Sequence, residues 1–220
     1  MSRRYLSQAE ARRFYDRFGP KQDSQSFYEA KALATLVRFA RLPEARRLVE
    51  LGCGTGRFAR ELLDRHLPPS ARYCGLDLSA TMTELAQRRL RTARQPALVV
   101  QAAVLEGLPF ADGAFDRVVS TYVLDLLSAE AIVSLLGEAR RILAPGGLLC
   151  LTGITAGSGP LSRTVMALWS LVHRLSPAVV GGCRPVRVDV FLTPAQWAVE
   201  QREVVVGFGV ASEVLVARRV

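Results

Sequence analysis

The apolar residues of this chain change their period along its length, and the changes divide it into elements. Leu33, Leu36, Val37 and Ala40 recur at helical spacing over residues 29–41, and Pro43 closes the run. Leu48, Val49 and Leu51 then form a short, nearly continuous apolar stretch, which suits a strand buried on both faces of a parallel sheet. It stops at Gly52-Cys53-Gly54-Thr55-Gly56, after which Phe58, Leu62 and Leu63 return to helical spacing until Pro68 and Pro69. The alternation repeats. Residues 73–78 predict a second strand, 81–91 a helix capped by Ser79, 97–102 a third strand and 117–120 a fourth. Ser128 precedes a helix with Ile132, Val133, Leu135, Leu136, Ala139 and Leu143 on its buried side; Pro145-Gly146-Gly147 terminates it, and residues 148–152 predict a fifth strand.

The two ends read differently. Residues 1–28 mix arginines with Tyr5, Phe14, Tyr15, Phe18, Phe27 and Tyr28, and Gly19-Pro20 predicts a helix, a turn and a second short piece. Beyond Gly153, glycines and serines make a loop to Ser162, and Val165, Leu168, Trp169, Val172 and Leu175 stripe one side of a helix ending near Pro177. Thr193-Pro194 predicts a further short helix. Residues 203–206 and 213–217, around Gly207 and Gly209, predict a terminal pair of strands.

Gly52, Gly54 and Gly56 remove the side chains that would hold a ligand away from the backbone. A strand, a glycine turn and a helix N-terminus together aim N–H groups and a positive dipole end at whatever sits above the strand. The dinucleotide pattern Gly-x-Gly-x-x-Gly requires a third glycine for close helix packing, and Arg57 stands in that place, which argues against NAD. Asp77 follows Gly56 by 21 residues, at the end of the second strand, where a carboxylate accepts from both hydroxyls of a ribose. The bland alternative, a helix cap, is already filled by Ser79.

With Glu50 in front of it, the glycine turn resembles the first motif of the class I S-adenosylmethionine-dependent methyltransferases. Gly75-Leu76-Asp77-Leu78-Ser79, the segment Glu106-Gly107-Leu108-Pro109-Phe110 running to Phe115-Asp116, and the Leu-x-Pro-Gly-Gly turn at Leu143 strengthen the resemblance. It implies an α/β, Rossmann-like fold: a seven-stranded, mostly parallel sheet with helices on both faces and a C-terminal antiparallel hairpin. It also implies S-adenosylmethionine at the carboxyl ends of strands one, two and four. The positions it assigns to the cofactor are Glu50, Gly52, Cys53, Gly54, Gly56, Asp77, Leu78, Met82 and Thr121, with Tyr15, inside Phe14-Tyr15-Asp16-Arg17-Phe18, closing over the cofactor. Val104 stands where family members commonly place an aspartate that accepts from the adenine amino group. Its loss removes ~0.5–1.5 kcal/mol, roughly tenfold in affinity at most, and leaves the backbone of Val104 and Leu105 to meet the adenine edge.

The resemblance covers residues 45–153 strongly. It divides a single domain into an N-terminal helical cap (1–44), a cofactor-binding core (45–153), a lid-like insert (154–192) and a C-terminal helix and hairpin (193–220). The implied reaction is methyl transfer to a small, hydrophobic acceptor, as in the quinone- and lipid-modifying group. Ser120-Thr121-Tyr122-Val123-Leu124-Asp125 lacks the Asn/Asp-Pro-Pro-Tyr sequence of amino-group methyltransferases, so nucleic acid and protein amides lose ground as partners. Positioning supplies up to ~7–11 kcal/mol to such a transfer, against roughly 10²–10⁴-fold from a general base. No catalytic residue is therefore assigned, although His66, His173 and Asp125 are available. Two rival readings stand beside this one: an inactive cofactor-binding interaction module and an NAD-dependent oxidoreductase.

Composition changes the picture in three places. At 220 residues and 24.1 kDa, half of them hydrophobic, the chain suits one domain. Cys53, Cys74, Cys150 and Cys183 are scattered, with only two histidines, which suggests reduced thiols, no metal site and a cytoplasmic protein. Neither a secretory signal nor a membrane-length apolar run is visible. The net charge of +9 comes almost wholly from arginine spread along the chain and reads as a solvated basic surface. Arg163, Arg174, Arg184 and Arg187 flank the apolar stripe of 158–192, so that segment is expected to be a substrate-facing lid with peripheral membrane contact. A monomer and a homodimer both fit.

Overall fold

The computed structural model describes residues 7–103 and 107–220. Strand β1 (Arg47–Leu51) is buried on both faces from Leu48 onward, because it lies in the middle of the sheet. It pairs in parallel with β2 (Arg72–Asp77) on one side and β4 (Phe115–Thr121) on the other. With β3 (Ala97–Gln101), β5 (Leu143–Ile154), β6 (Trp197–Gly207) and β7 (Val210–Arg219) the order is β3-β2-β1-β4-β5-β7-β6. β7 runs antiparallel to both β5 and β6, so the seven-stranded sheet with its terminal hairpin is as expected. Strand order reverses between β1 and β4, and the carboxyl ends of those strands open a crevice.

Two cores separate the layers. On one face α2 (Ser26–Phe39), α3 (Arg57–Glu61) and α4 (Ala80–Leu90) bring Leu36, Phe58 and Ala86 onto Leu48, Val119 and Val216. On the other, α5 (Ala129–Ile142) lays Ile132, Leu135 and Ala139 on Val49, Leu51 and Leu149. Gly56 sets the spacing of the first layer. A Cβ there would lie 2.9 Å from the Cα of Ala86, and its φ of 73° is left-handed. The close helix packing that dinucleotide folds give to a third glycine is thus done here one residue earlier, and Arg57 is free to reach outward.

The N-terminal region is a helix, α1 (Gln8–Phe18), then a 3-10 segment (Gly19–Gln25) that leads into α2. A reciprocal capping box starts α1: Glu10 N–H donates to Ser7 Oγ, and Ser7 N–H donates to the Glu10 carboxylate at 2.8 Å.

Four local expectations need correction. Pro145-Gly146-Gly147 does not simply precede β5: Phe115 pairs with Leu143 and Arg117 with Leu148, so the turn bulges from the ladder. Thr193-Pro194 opens no helix; the N–H groups of Gln196 and Trp197 both donate to the Thr193 carbonyl, and Trp197, buried in the core, enters β6 instead. The terminal strands are longer than their apolar runs because cross-strand ion pairs, Arg218–Glu200 and Arg202–Glu213, interrupt the hydrophobic pattern. In α6 (Pro160–Leu175) the inward side is Ser162, Met166 and His173 with Trp169 partly buried, whereas Leu168 and Leu175 of the expected stripe face outward.

Candidate functional site

At the carboxyl end of β1 the glycine turn is stitched to its neighbour. The N–H groups of Gly52 and Cys53 donate to the Leu76 carbonyl at 2.8 and 2.9 Å, that of Gly54 to Asp77 Oδ2 at 2.8 Å, and that of Gly56 to the Cys53 carbonyl at 3.0 Å. These four donors are therefore not aimed at a ligand, contrary to the reading of the motif. What the glycines supply is space and left-handed backbone. A Cβ on Gly52 would stand 2.3 Å from Val123 Cγ2, and one on Gly54 2.9 Å from Gln22 Oε1.

Asp77, at the end of β2, accepts from Gly54 and, through Oδ1, from Ser79 N–H at 2.9 Å. Burial pushes its carboxyl up to about 6 against those two donors. Glu50 lies deeper and accepts the Tyr73 hydroxyl proton at 2.5 Å; burial pushes it up to about 8.

Two adjoining cavities occupy this edge. The larger, about 360 Å³, lies within the range of small-molecule sites. Ser7, Gln8, Ala11 and Tyr15 of α1 and its cap roof it; Gly52, Asp77 and Leu78 lie at its base; Thr121, Tyr122, Val123, Leu126, Leu127, Ala131 and Leu135 make a largely apolar wall. The smaller, about 40 Å³, is polar and is lined by Asp23, Glu29, Glu50, Arg57, Cys53, Gly54 and Thr55 among others. Gln22, Gly52, Thr121 and Tyr122 border both.

The structure therefore brings Tyr15, Gly52, Asp77, Leu78 and Thr121 to the larger cavity and Glu50, Cys53 and Gly54 to the smaller. Gly56 and Met82 reach neither. Gly56 packs on α4, and Met82, fully buried in the first turn of α4, gives its N–H to the Ser79 hydroxyl. Val104 and Leu105 lie outside the described residues. Among the described residues of 158–192 none lines either cavity, and the side chains over the larger one come from α1 and its cap. The insert meets α1 where the Tyr15 hydroxyl donates to the Gly181 carbonyl at 3.4 Å; within the insert, Trp169 Nε1–H donates to the Cys183 carbonyl at 2.9 Å.

Clamps between distant segments hold the roof down. Asp16 accepts from the Ser79 hydroxyl at 2.6 Å and from Thr81 N–H at 3.3 Å. Asp23 takes Arg89 and the Thr55 hydroxyl, each at 2.6 Å, and Arg57 pairs with Glu29 at 2.6 Å. Sequence reasoning missed Gln22 and Asp23, which lie in a stretch with no apolar period, and Arg89, a polar position of a predicted helix with nothing local to show its partner; only Asp16, inside the Tyr-Asp element, carried a signal. Gln22 Oε1 is buried without a hydrogen-bond partner. Such an acceptor costs about 1–3 kcal/mol, and its place on the border of both cavities suits a ligand that donates there. Tyr122 adopts a φ of 56°, a strained backbone for a bulky residue, and its hydroxyl meets Ser212 Oγ at 3.0 Å.

None of the candidate bases lines either cavity. His66 sits 3.6 Å from Glu61 beyond α3, and His173 Nε2 lies 3.2 Å from the Gly182 carbonyl, inside α6 packing. Asp125 is sealed, its Oδ2 accepting from Ile154 N–H at 3.3 Å, and burial pushes it up to about 7. The four cysteines are free and buried, and among the described residues no three His, Cys, Asp or Glu side chains converge as metal ligands.

Residues 48–147 match the family model described as a methyltransferase domain. The malonyl-[acyl-carrier protein] O-methyltransferase of Legionella pneumophila is 37% identical over 129 residues, 59% of this chain and 42% of the relative. The demethylmenaquinone methyltransferase of Thermus thermophilus is 36% identical over 104 residues, 47% of this chain and 45% of the relative. The matched stretch thus spans less than half the length of these curated relatives. Among solved structures, a chain of the complex containing the Haloferax volcanii Trm112 methyltransferase activator superimposes with a TM-score of 0.74 at 16% identity, covering 95% of this chain and 97% of its own, which is a likeness of fold.

Proposed function

We infer that this chain, whose residues 48–147 match a methyltransferase domain, is a class I enzyme that transfers a methyl group from S-adenosylmethionine to a small, hydrophobic acceptor. The observation that carries the reading is the larger cavity: an apolar wall and a helical roof meet Asp77 and the glycine turn in one space. The cofactor, when bound, supplies a methyl already activated by its sulfonium. Asp77 suits the ribose, because an ionised carboxylate accepts from two hydroxyls through charge-assisted bonds. The smaller, polar cavity suits the charged amino-acid end, with Gln22 Oε1 as an acceptor awaiting a donor. Val123, Leu126, Leu127 and the α1 roof exclude water and hold an apolar acceptor.

With the candidate bases all outside the cavity walls, the residues act by positioning. The match of residues 48–147 to a methyltransferase domain favours this reading over an NAD-dependent oxidoreductase. The test is calorimetry with S-adenosylmethionine, followed by methyl-labelled cofactor and a panel of apolar hydroxyl, carboxyl and quinol acceptors. Binding together with S-adenosylhomocysteine release and a labelled acceptor is the expected outcome. Binding with no transfer across extracts would instead favour an interaction module, and no binding would sink both. Among the described residues no helix is long and apolar enough to cross a membrane.

A further inference from the structure

Opposite its packed side, α6 carries a row of leucines in solvent: Leu161 is 76% exposed, Leu168 62%, Leu171 51% and Leu175 79%. At steps of seven, three and four residues they share one side of the helix. The row continues onto the β6–β7 turn, where Val165 packs close against Gly209 and Phe208 presents an 81% exposed ring, edge-on to exposed Phe27 at 5.4 Å. Phe208 adopts a left-handed φ of 50° between two glycines. A bulky residue in that conformation, with its ring mostly in water and packed only edge-on against another exposed ring, is costly to keep for the fold alone, and scattered single apolar residues do not form such a row.

Charge decides what covers it. No acidic residue occurs between Glu138 and Asp189, while Arg163 and Arg174 are exposed along the polar flank of α6. A two-fold contact with a second copy would set these arginines against their own equivalents without an acid on the helix to answer them. We propose that the leucine side of α6 and the Phe208 turn dock on an anionic phospholipid bilayer. The leucines and Phe208 enter the boundary between headgroups and acyl chains, and the arginines meet the lipid phosphates. This surface lies at the same edge of the sheet as the cavities: β7 begins at that edge, Ser212 pairs with Ile154, and the Ser212 hydroxyl touches that of Tyr122, which borders the larger cavity. An apolar acceptor dissolved in the bilayer would lie close to its site. The docking surface itself does not rest on the methyltransferase reading, and it is measured without cofactor.

The experiment is co-sedimentation of the full chain with vesicles of phosphatidylcholine alone and of phosphatidylcholine mixed with phosphatidylglycerol. Binding is expected to the mixed vesicles and to be reversed by about 0.5 M salt, where screening acts within a few ångströms. Leu168→Ser and Leu175→Ser should each weaken it roughly tenfold, the effect of one leucine withdrawn from an apolar phase. Arg163→Gln and Arg174→Gln should each weaken it about fivefold, and Phe208→Ser repeats the test outside the helix. Melting temperatures should stay as in the wild type, because these side chains are exposed. Equal binding to neutral vesicles, or variants that bind as the wild type does, would overturn the proposal. So would a wild-type dimer in sedimentation equilibrium that the leucine variants dissolve, which would make this face a subunit interface.

Discussion

The two cavities share Gln22, Gly52, Thr121 and Tyr122, yet they are built from opposite materials. The smaller is ringed by carboxylates and arginine and shut by ion pairs from α2 and the 3-10 segment; the larger is nine times the volume, on the figures of 40 and 360 Å³, and walled by aliphatic side chains. The difference assigns the work. A charged, conformationally defined end of a ligand belongs where fixed hydrogen-bond partners stand, whereas the larger space offers Asp77 at its base and otherwise discriminates by shape and dryness.

The sharpest way to break this division is Asp77→Asn. It keeps the side-chain shape and removes the charge, so about 1.5–3 kcal/mol of charge-assisted bonding should go, roughly ten- to a hundredfold in S-adenosylmethionine affinity by calorimetry. Unchanged affinity would place the ribose elsewhere.

Acidity provides a second test in which stability and binding move in opposite directions. Asp77 is pushed up to about 6, Asp125 to about 7 and Glu50 to about 8, so between about pH 4 and 8 the folded chain holds protons that the unfolded chain has released. Stability without cofactor should therefore fall as pH rises through that window, and the melting temperature should be higher near pH 5.5 than near pH 8. The carboxyls that are held low, Glu138 at about 2 and Asp189, lose their contribution only below it. Cofactor affinity should do the reverse, dropping about tenfold from pH 7 to pH 5 as the ionised fraction of Asp77 falls to about one-tenth. Parallel changes in both would mean that Asp77 is not the pH-sensing contact.

Filling the apolar side instead, Ala11→Phe should lower kcat/KM for the acceptor by roughly fivefold while leaving cofactor affinity in place. If cofactor binding suffers equally, the roof of the larger cavity covers the adenosine rather than the acceptor. The smallest effect belongs to the clamps. Arg89→Met releases the partly exposed pair with Asp23, so thermal unfolding should report ~0.5 kcal/mol, and stopped-flow should show cofactor leaving about twice as fast. A clamp that only decorates the surface would leave that rate unchanged.

How much was legible follows from the same contrast. β1, β2, β4 and β5, the helices between them, the glycine turn and Asp77 announced themselves, because each is a local pattern of period, spacing or strand-end acid. Thr193-Pro194 was read as the start of a helix, yet the pairing of Trp197 with Arg219 and its burial in the core begin a strand there. The stripe of α6 was recognised as a helix face, but the side that packs was not: Leu168 and Leu175 of the stripe face water, and Met166 and His173 lie inward.

By itself, then, the chain's order of residues determined the alternating strands and helices of the parallel core, and the glycine turn and acid at the ends of β1 and β2. Those depend on backbone preferences and on neighbours a few residues away. Tertiary structure alone decided that Gly56 serves α4 rather than a ligand, that the turn's N–H groups are consumed by Leu76 and Asp77, and that α1, not the insert, roofs the cavity. It also joined Asp23 to Arg89 and Asp16 to Ser79. The reason is physical: a hydrophobic period reports that an element has a side to bury, but not which partner buries it. A polar clamp between residues tens of positions apart leaves no periodic trace, because only the packed chain brings its two halves within reach.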